Sequence, residues 1–260
     1  MDFELLDPTI AFSDQYMIGE NIGSSSFGIV YKAKRLATEK EYAVKVLRKL
    51  PFRPHKLRNA PILKEVLILQ NLGHTNIVNL HAAFESKKEI YLVMEFMRHG
   101  DLESLIQKYK GLDESVSKTA LNQICDGLEY LHCIGIVHRD VKPPNVLVAG
   151  TTPLRLKLTD FGISKVVNDT TFMRTLCGTP MYMAPEIYAP GAGVDHHYDR
   201  KVDSWSLGVT LFKMLVHLSS HISAVIKQIP ILKEGRSKTA RLSGQTLPKV
   251  GPSPGEDAKR

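Results

Sequence analysis

The sequence predicts an α+β protein built as two lobes. A small antiparallel β-sheet comes first, and a mainly helical half follows, ending in a long apolar helix. Three observations carry this. Between Tyr16 and Phe96, short runs rich in Val, Ile and Tyr alternate apolar with polar residues, the period of half-buried strands. From Leu102 to His132 the apolar residues recur three and four apart, the period of one helix face. Beyond residue 217 the chain turns to Pro, Gly, Ser and scattered charge, a composition that buries little apolar surface.

Residues 1–15 form a lead with no clear period. The first lobe spans 16–97. Ile18–Gly23 and Ile29–Ala33 flank a Gly/Ser turn and read as a hairpin. Small residues in that turn let backbone N–H groups face anionic oxygens. Glu41–Leu47 is the next strand, and Lys45 interrupts its apolar alternation, which suits an ammonium aimed into a cleft; taken alone it reads as an ordinary surface lysine. Ile62–Leu72 is amphipathic: Ile62, Val66 and Leu69 share one face, and Glu65 is placed to face Lys45. Ile77–Phe84 and Glu89–Phe96 complete the sheet. A turn at His99-Gly100-Asp101 puts the lobe boundary at 97–100, and the second lobe runs over 98–217. Leu102–Tyr109 and Ser117–His132 are helices, the second with Ala120, Leu121, Ile124, Leu128 and Leu131 at core spacing. Val146–Val148 and Leu156–Leu158 are short strands around a loop. Asp203 to about Val216 is an apolar helix that wants burial on every side, with Trp205 in the core. Residues 218–260 read as a divergent, disordered basic tail.

Composition bounds the function classes. Three cysteines without metal-ligand spacing suggest a reducing compartment, cytoplasm or nucleus. The acidic start Met1-Asp2-Phe3-Glu4 does not resemble a secretory signal, and no apolar run reaches membrane-spanning length. The net charge of +7 comes mostly from residues 227–260, which hold eight Lys/Arg against three Asp/Glu, so a solvated tail is expected in place of a nucleic-acid site.

The chemistry is concentrated in His138-Arg139-Asp140-Val141-Lys142-Pro143-Pro144-Asn145, with Asp160-Phe161-Gly162 fifteen positions further on. Two carboxylates, an amide and a cation in so short a span suit phosphoryl transfer from a magnesium nucleotide. On that reading Asp140 is the base, Lys142 steadies the moving phosphoryl group, and Asn145 and Asp160 hold Mg²⁺. His138 is structural. A solvated polar turn is the bland alternative; it leaves unexplained why a Gly-rich loop and Ala184-Pro185-Glu186 fall in matching order.

With these motifs the chain resembles a eukaryotic protein kinase, over residues 16–217. The resemblance implies the two-lobed protein-kinase-like fold, with the second lobe truncated. It implies an ATP pocket formed by Ile22, Gly23, Ser24, Ser25, Ser26, Phe27, Gly28, Ile29 and Val30, by Ala43 and Lys45, by Met94, Glu95 and Met97, and by Leu147. Ser25 stands where the family's glycine loop has its middle Gly. Lys45 would hold the α- and β-phosphates and pair with Glu65. Thr179 suits the substrate-docking loop of a Ser/Thr kinase. Thr175 would be an activating phosphosite for an upstream kinase, with Arg139 as its partner; phosphopeptide mapping reads this directly. The stretch 172–180 is most similar to the CaM-kinase-related group, and within it to DNA-damage checkpoint effector kinases. Two functions follow from the resemblance: an ATP-dependent kinase for Ser/Thr of protein substrates, or a catalytically impaired nucleotide-binding regulatory module.

Overall fold

The computed structural model describes residues 4–5, 11–25, 28–49, 66, 68–161, 165–166, 179–188 and 200–216. The chain divides into a unit Met1–His217 and a unit Leu218–Arg260. The second unit, where the tail is expected, lies outside the described residues, and the first is described here.

Six strands make one sheet: β1 (Glu4–Leu5), β2 (Tyr16–Ser25), β3 (Gly28–Arg35), β4 (Glu41–Arg48), β5 (Leu80–Glu85) and β6 (Glu89–Glu95), in the order β1-β5-β6-β4-β3-β2. All pairings are antiparallel except β1 with β5. The expected strand at 77–84 begins three residues later, at Leu80. Strand β4 shows why the sheet is buried on both faces. Its Tyr42, Val44 and Val46 join an aromatic cluster, while the alternating Ala43 and Lys45 line a cleft on the other side. Of the expected helix at 62–72, Val66 and residues 68–70 are described and helical, with Val66 and Leu69 in the main core.

The lead does more than its sequence suggests. Besides β1, it holds a short helix α1 (Phe12–Gln15). The Phe12 ring stacks on Tyr91 at 4.5 Å and on Tyr16 at 5.4 Å, and meets Phe84 edge-on at 5.6 Å. Phe12 thereby closes the outer face of the sheet. Phe12→Ala should destabilise the protein by about 3 kcal/mol, the lower end for loss of a large core side chain. Urea unfolding reads this as a lower midpoint at unchanged slope; a loss under about 1 kcal/mol would mean that the ring only rests on the sheet.

The second lobe holds α2 (Leu102–Tyr109), α3 (Glu114–Cys133), β7 (Ile136–Val137), a 3₁₀ turn at Pro143–Asn145, β8 (Val146–Thr151), β9 (Leu154–Leu158), β10 (Lys165–Val166), a second 3₁₀ turn at Pro180–Tyr182, α4 (Pro185–Tyr188) and α5 (Lys201–Leu215). Asp101 caps α2 by accepting from the Ser104 N–H at 2.7 Å. In α3 the expected Ala120, Ile124, Leu128 and Leu131 are buried, whereas Leu121, at the edge of that face, is only partly buried. They share one core with Leu92 and Met94 of the sheet and with Val146 and Phe161.

Helix α5 departs from expectation. Its buried stripe is Val202, Asp203, Ser206, Thr210 and Met214, three of them polar. Trp205, expected in the core, is 48% exposed, and Phe212 is 47% exposed. The reason is the helical period. The face turned inward is selected by Asp203 and by Ser206, whose hydroxyl donates to the Tyr182 carbonyl at 2.7 Å. Trp205, Phe212 and Leu215 are left on the exposed face, while Leu207 and Leu211 flank the stripe and are partly buried against the main core. No helix among the described residues is long and apolar enough to cross a membrane.

Candidate active site

The 138–145 loop is held from below by one buried carboxylate. Asp203 is fully buried. Its Oδ2 accepts the His138 N–H at 2.9 Å and lies 2.7 Å from His132 Nε2, and its Oδ1 accepts the Arg139 N–H at 2.7 Å. These bonds fix a strained turn at Arg139, whose φ of +70 lies in the left-handed region that side-chain-bearing residues seldom adopt; Asp160, in the facing loop, also has a positive φ of +64. His138 sits beneath, its ring 5.2 Å from that of Phe161 and its Nε2 3.0 Å from the Thr159 carbonyl. It is placed to support the loop, as expected for a structural histidine.

Asp140 is the centre of a small polar network. Its Oδ1 accepts the Thr179 N–H at 3.1 Å and lies 2.9 Å from the Thr179 hydroxyl. Its Oδ2 accepts from Lys142 Nζ at 2.6 Å and from Asn145 Nδ2 at 2.9 Å. Lys142 Nζ also lies 2.7 Å from the Thr179 hydroxyl oxygen. An alcohol, a carboxylate and an ammonium are thus within hydrogen-bond reach of one another.

The cleft between sheet and helical lobe opens above this network. Lys142, Asn145, Asp160 and Leu147 line it from below, Lys45 and Ala43 from above. Lys45, almost wholly buried, donates to Asp160 Oδ1 at 2.8 Å. Burial pushes the Asp160 carboxyl up, but the charge and hydrogen bond of Lys45, with His138 and Lys142 adding, outweigh it and hold the group below its usual range. Asp160 therefore stays ionised through neutral pH. Asn145 gives its amide N–H to Asp140, which leaves its carbonyl oxygen for a ligand. Two hard oxygen donors on one cleft suit a magnesium ion that completes its shell with phosphates and water.

The glycines flanking the Gly/Ser turn have different reasons. A Cβ on Gly28 would come within 2.2 Å of the Val46 carbonyl oxygen, so packing against β4 requires glycine there. A Cβ on Gly23, which lines the cleft, would meet no atom of the described residues within 4 Å beyond its chain neighbours.

Of the residues expected to form the site, the structure brings Ile22, Gly23, Ser24, Val30, Ala43, Lys45, Met94, Glu95, Met97, Lys142, Asn145, Leu147 and Asp160 to one cleft. Gly28 and Ile29 lie in β3 and do not line it. Asp140, Arg139 and Thr179 sit just below it. Glu65, Ser26, Phe27 and Thr175, and the side chain of Ser25, lie outside the described residues. The cleft also takes in Phe96, within the connector 95–97 expected at the adenine edge, and Arg98, Asp101 and Pro144, which were not among the residues expected to line it. Arg98 has a visible role: it ties the connector to the sheet by meeting Glu41 at 3.1 Å.

Fold and site together define the class: the chain belongs to the protein kinase domain family, which it matches over residues 16–235. The match begins where the resemblance does and continues past 217, where the likeness was expected to end. The chain is 40% identical over 206 residues to the ovarian-specific serine/threonine-protein kinase Lok of Drosophila melanogaster, covering 77% of this chain and 43% of that protein. It is 41% identical over 209 residues to serine/threonine-protein kinase D2 of Homo sapiens, covering 79% of this chain and 23% of that one. It is 38% identical over 208 residues to serine/threonine-protein kinase cds1 of Schizosaccharomyces pombe, covering 78% and 45%. The chain thus spans less than half the length of these relatives.

Proposed function

We propose that this chain transfers the γ-phosphoryl group of ATP to Ser/Thr hydroxyls of protein substrates. One observation carries this most directly. The Lys142 ammonium touches the Asp140 carboxylate and the Thr179 hydroxyl while also lining the cleft. It stands where a nucleotide's terminal phosphate and an alcohol acceptor would meet.

The geometry supports a role for each group. The Asp140 carboxylate accepts the hydroxyl proton of the acceptor and holds that oxygen in line; the Thr179 hydroxyl, already at Oδ1, marks where an alcohol fits. Lys142 offsets negative charge on the group in transfer. Asn145 and Asp160 would supply oxygens to Mg²⁺, which when bound would offset the charge of the phosphates. Lys45, held by Asp160, reaches the phosphates from the sheet side, and the room over Gly23 lets backbone approach them. Met94 and the connector at 95–97 border the base pocket. The readout is radiolabelled phosphate from ATP appearing on a Ser/Thr peptide; no transfer above the nucleotide-only blank overturns the reading.

Lys45→Met should lower kcat/KM by about 10²–10³-fold, the loss seen when one preorganised charge stabiliser is removed. Steady-state assays on the folded variant read this, and a loss below about fivefold would remove Lys45 from the chemistry. The likeness to checkpoint effector kinases supports a place in checkpoint-type signalling. The impaired-module alternative is not favoured, because Asp140, Lys142, Asn145 and Asp160 are assembled and the relatives are named as kinases.

A further inference from the structure

Near the acceptor side of Asp140 lies a second charged cluster with no part in the transfer step. Glu103, in the first turn of α2, accepts from Lys213 Nζ of α5 at 2.5 Å, across 110 residues of sequence. Both side chains are about one-fifth exposed, at 20% and 18%. Glu103 also accepts from Gln107 Nε2 at 3.0 Å. Beside them is Tyr182, itself 4% exposed, whose buried hydroxyl finds no partner of good geometry among the described residues and lies next to Lys213.

The cluster is tied to the acceptor position through short links. The Tyr182 N–H donates to the Thr179 carbonyl at 2.9 Å, and Thr179 touches Asp140. Asp101, two residues before Glu103, lines the cleft together with Lys142 and Pro144. Burial pushes the Tyr182 phenol up, Lys213 pulls it back, and Glu103 and Asp140 push it further up, so all three charges are felt at one hydroxyl. Burial pulls the Lys213 ammonium down, but its hydrogen bond to Glu103 and its nearness to Tyr182 raise it above its usual value, so it is charged at neutral pH.

A carboxylate at this place, facing a peptide whose hydroxyl reaches Asp140, would select lysine or arginine in the substrate. Here it is already paired. We infer that Lys213 silences Glu103 as a reader of basic side chains, so that this kinase takes Ser/Thr substrates with an uncharged residue against the Glu103–Lys213 pair. The inference rests on the proposed kinase reading. It makes Lys213 a specificity-determining residue.

The test is a set of Ser peptides in which arginine or alanine is placed at each position flanking the acceptor, assayed with ATP. For the parent the arginine-to-alanine ratio of kcat/KM should stay near one at the position facing the pair. Lys213→Met should raise that ratio by about fivefold, the selectivity one partly exposed ion pair supplies. Glu103→Gln added to Lys213→Met should return it to near one, and Lys213→Arg should behave as the parent. A parent that already prefers arginine there and loses the preference in Glu103→Gln overturns the inference, as does a Lys213→Met ratio unchanged at every position. The same comparison by fluorescence polarisation, with the acceptor Ser replaced by Ala, reads charge selection without turnover. Absent transfer would then sink the kinase reading, while unchanged peptide binding in Lys213→Met would sink this one.

Discussion

Asp140→Asn is expected to reduce phosphoryl transfer by about 10²–10⁴-fold, the contribution of a positioned general base, while ATP affinity stays close to the parent's. The carboxylate is acceptor-only and meets four donor contacts, from the Thr179 N–H and hydroxyl and from Lys142 and Asn145. An amide of the same shape keeps one acceptor atom and turns an NH₂ group toward the other pair of donors. It can neither take the acceptor's proton nor balance the Lys142 charge. Nucleotide binding is spared because the groups that line the cleft from the sheet side, Lys45 among them, do not touch Asp140. Steady-state kcat and calorimetric Kd for ATP check the two halves. A variant that keeps most of its kcat would remove Asp140 from the mechanism, and one that loses ATP binding would place it in the nucleotide site.

Much of this arrangement was legible because chemistry constrains residue types within short spans. Asp140, Lys142 and Asn145 fall within six residues, so their proximity could be read directly from the chain. The strands were legible where one face is polar and the other apolar, as in β4, whose alternation divides an aromatic cluster from the cleft. What could not be read joins distant residues. Phe12 is one of two phenylalanines in a lead with no period to mark it, and its partners Phe84 and Tyr91 are far along the chain. The Lys213–Glu103 pair spans 110 residues, and isolated charges on two helices carry no signal of meeting. Trp205 was misread for a related reason. In a helix apolar nearly all round, periodicity does not choose a face; Asp203 and Ser206 chose it through polar contacts with the loop and with Tyr182.

Asp203→Ala should be the most damaging single change to the fold of the site. The loss is set by what the side chain leaves behind. Two buried backbone donors, the N–H groups of His138 and Arg139, lose their acceptor together, and His132 loses its partner. Each orphaned donor costs about 1–3 kcal/mol, so roughly 2–6 kcal/mol is at stake, against a net stability of about 5–15 kcal/mol for a whole domain. At about 2–4 °C per kcal/mol for a domain of this size, Tm should fall by roughly 5–20 °C. Asp203→Asn should recover part of this, because one amide oxygen can still accept one of the two N–H groups, although its NH₂ then faces the other. Activity should fall beyond what unfolding explains. Arg139 at φ +70 holds its strained conformation only while its N–H is fixed, and a shift of about 1 Å at Asp140 reduces turnover by roughly 10²-fold. Calorimetry gives Tm, and kcat measured well below each variant's melting range separates loop placement from loss of fold. An Asp203→Ala protein melting within about 2 °C of the parent would mean that the loop is held by contacts other than this carboxylate. Full activity in a destabilised variant would mean that α5 supports the lobe but does not place the base.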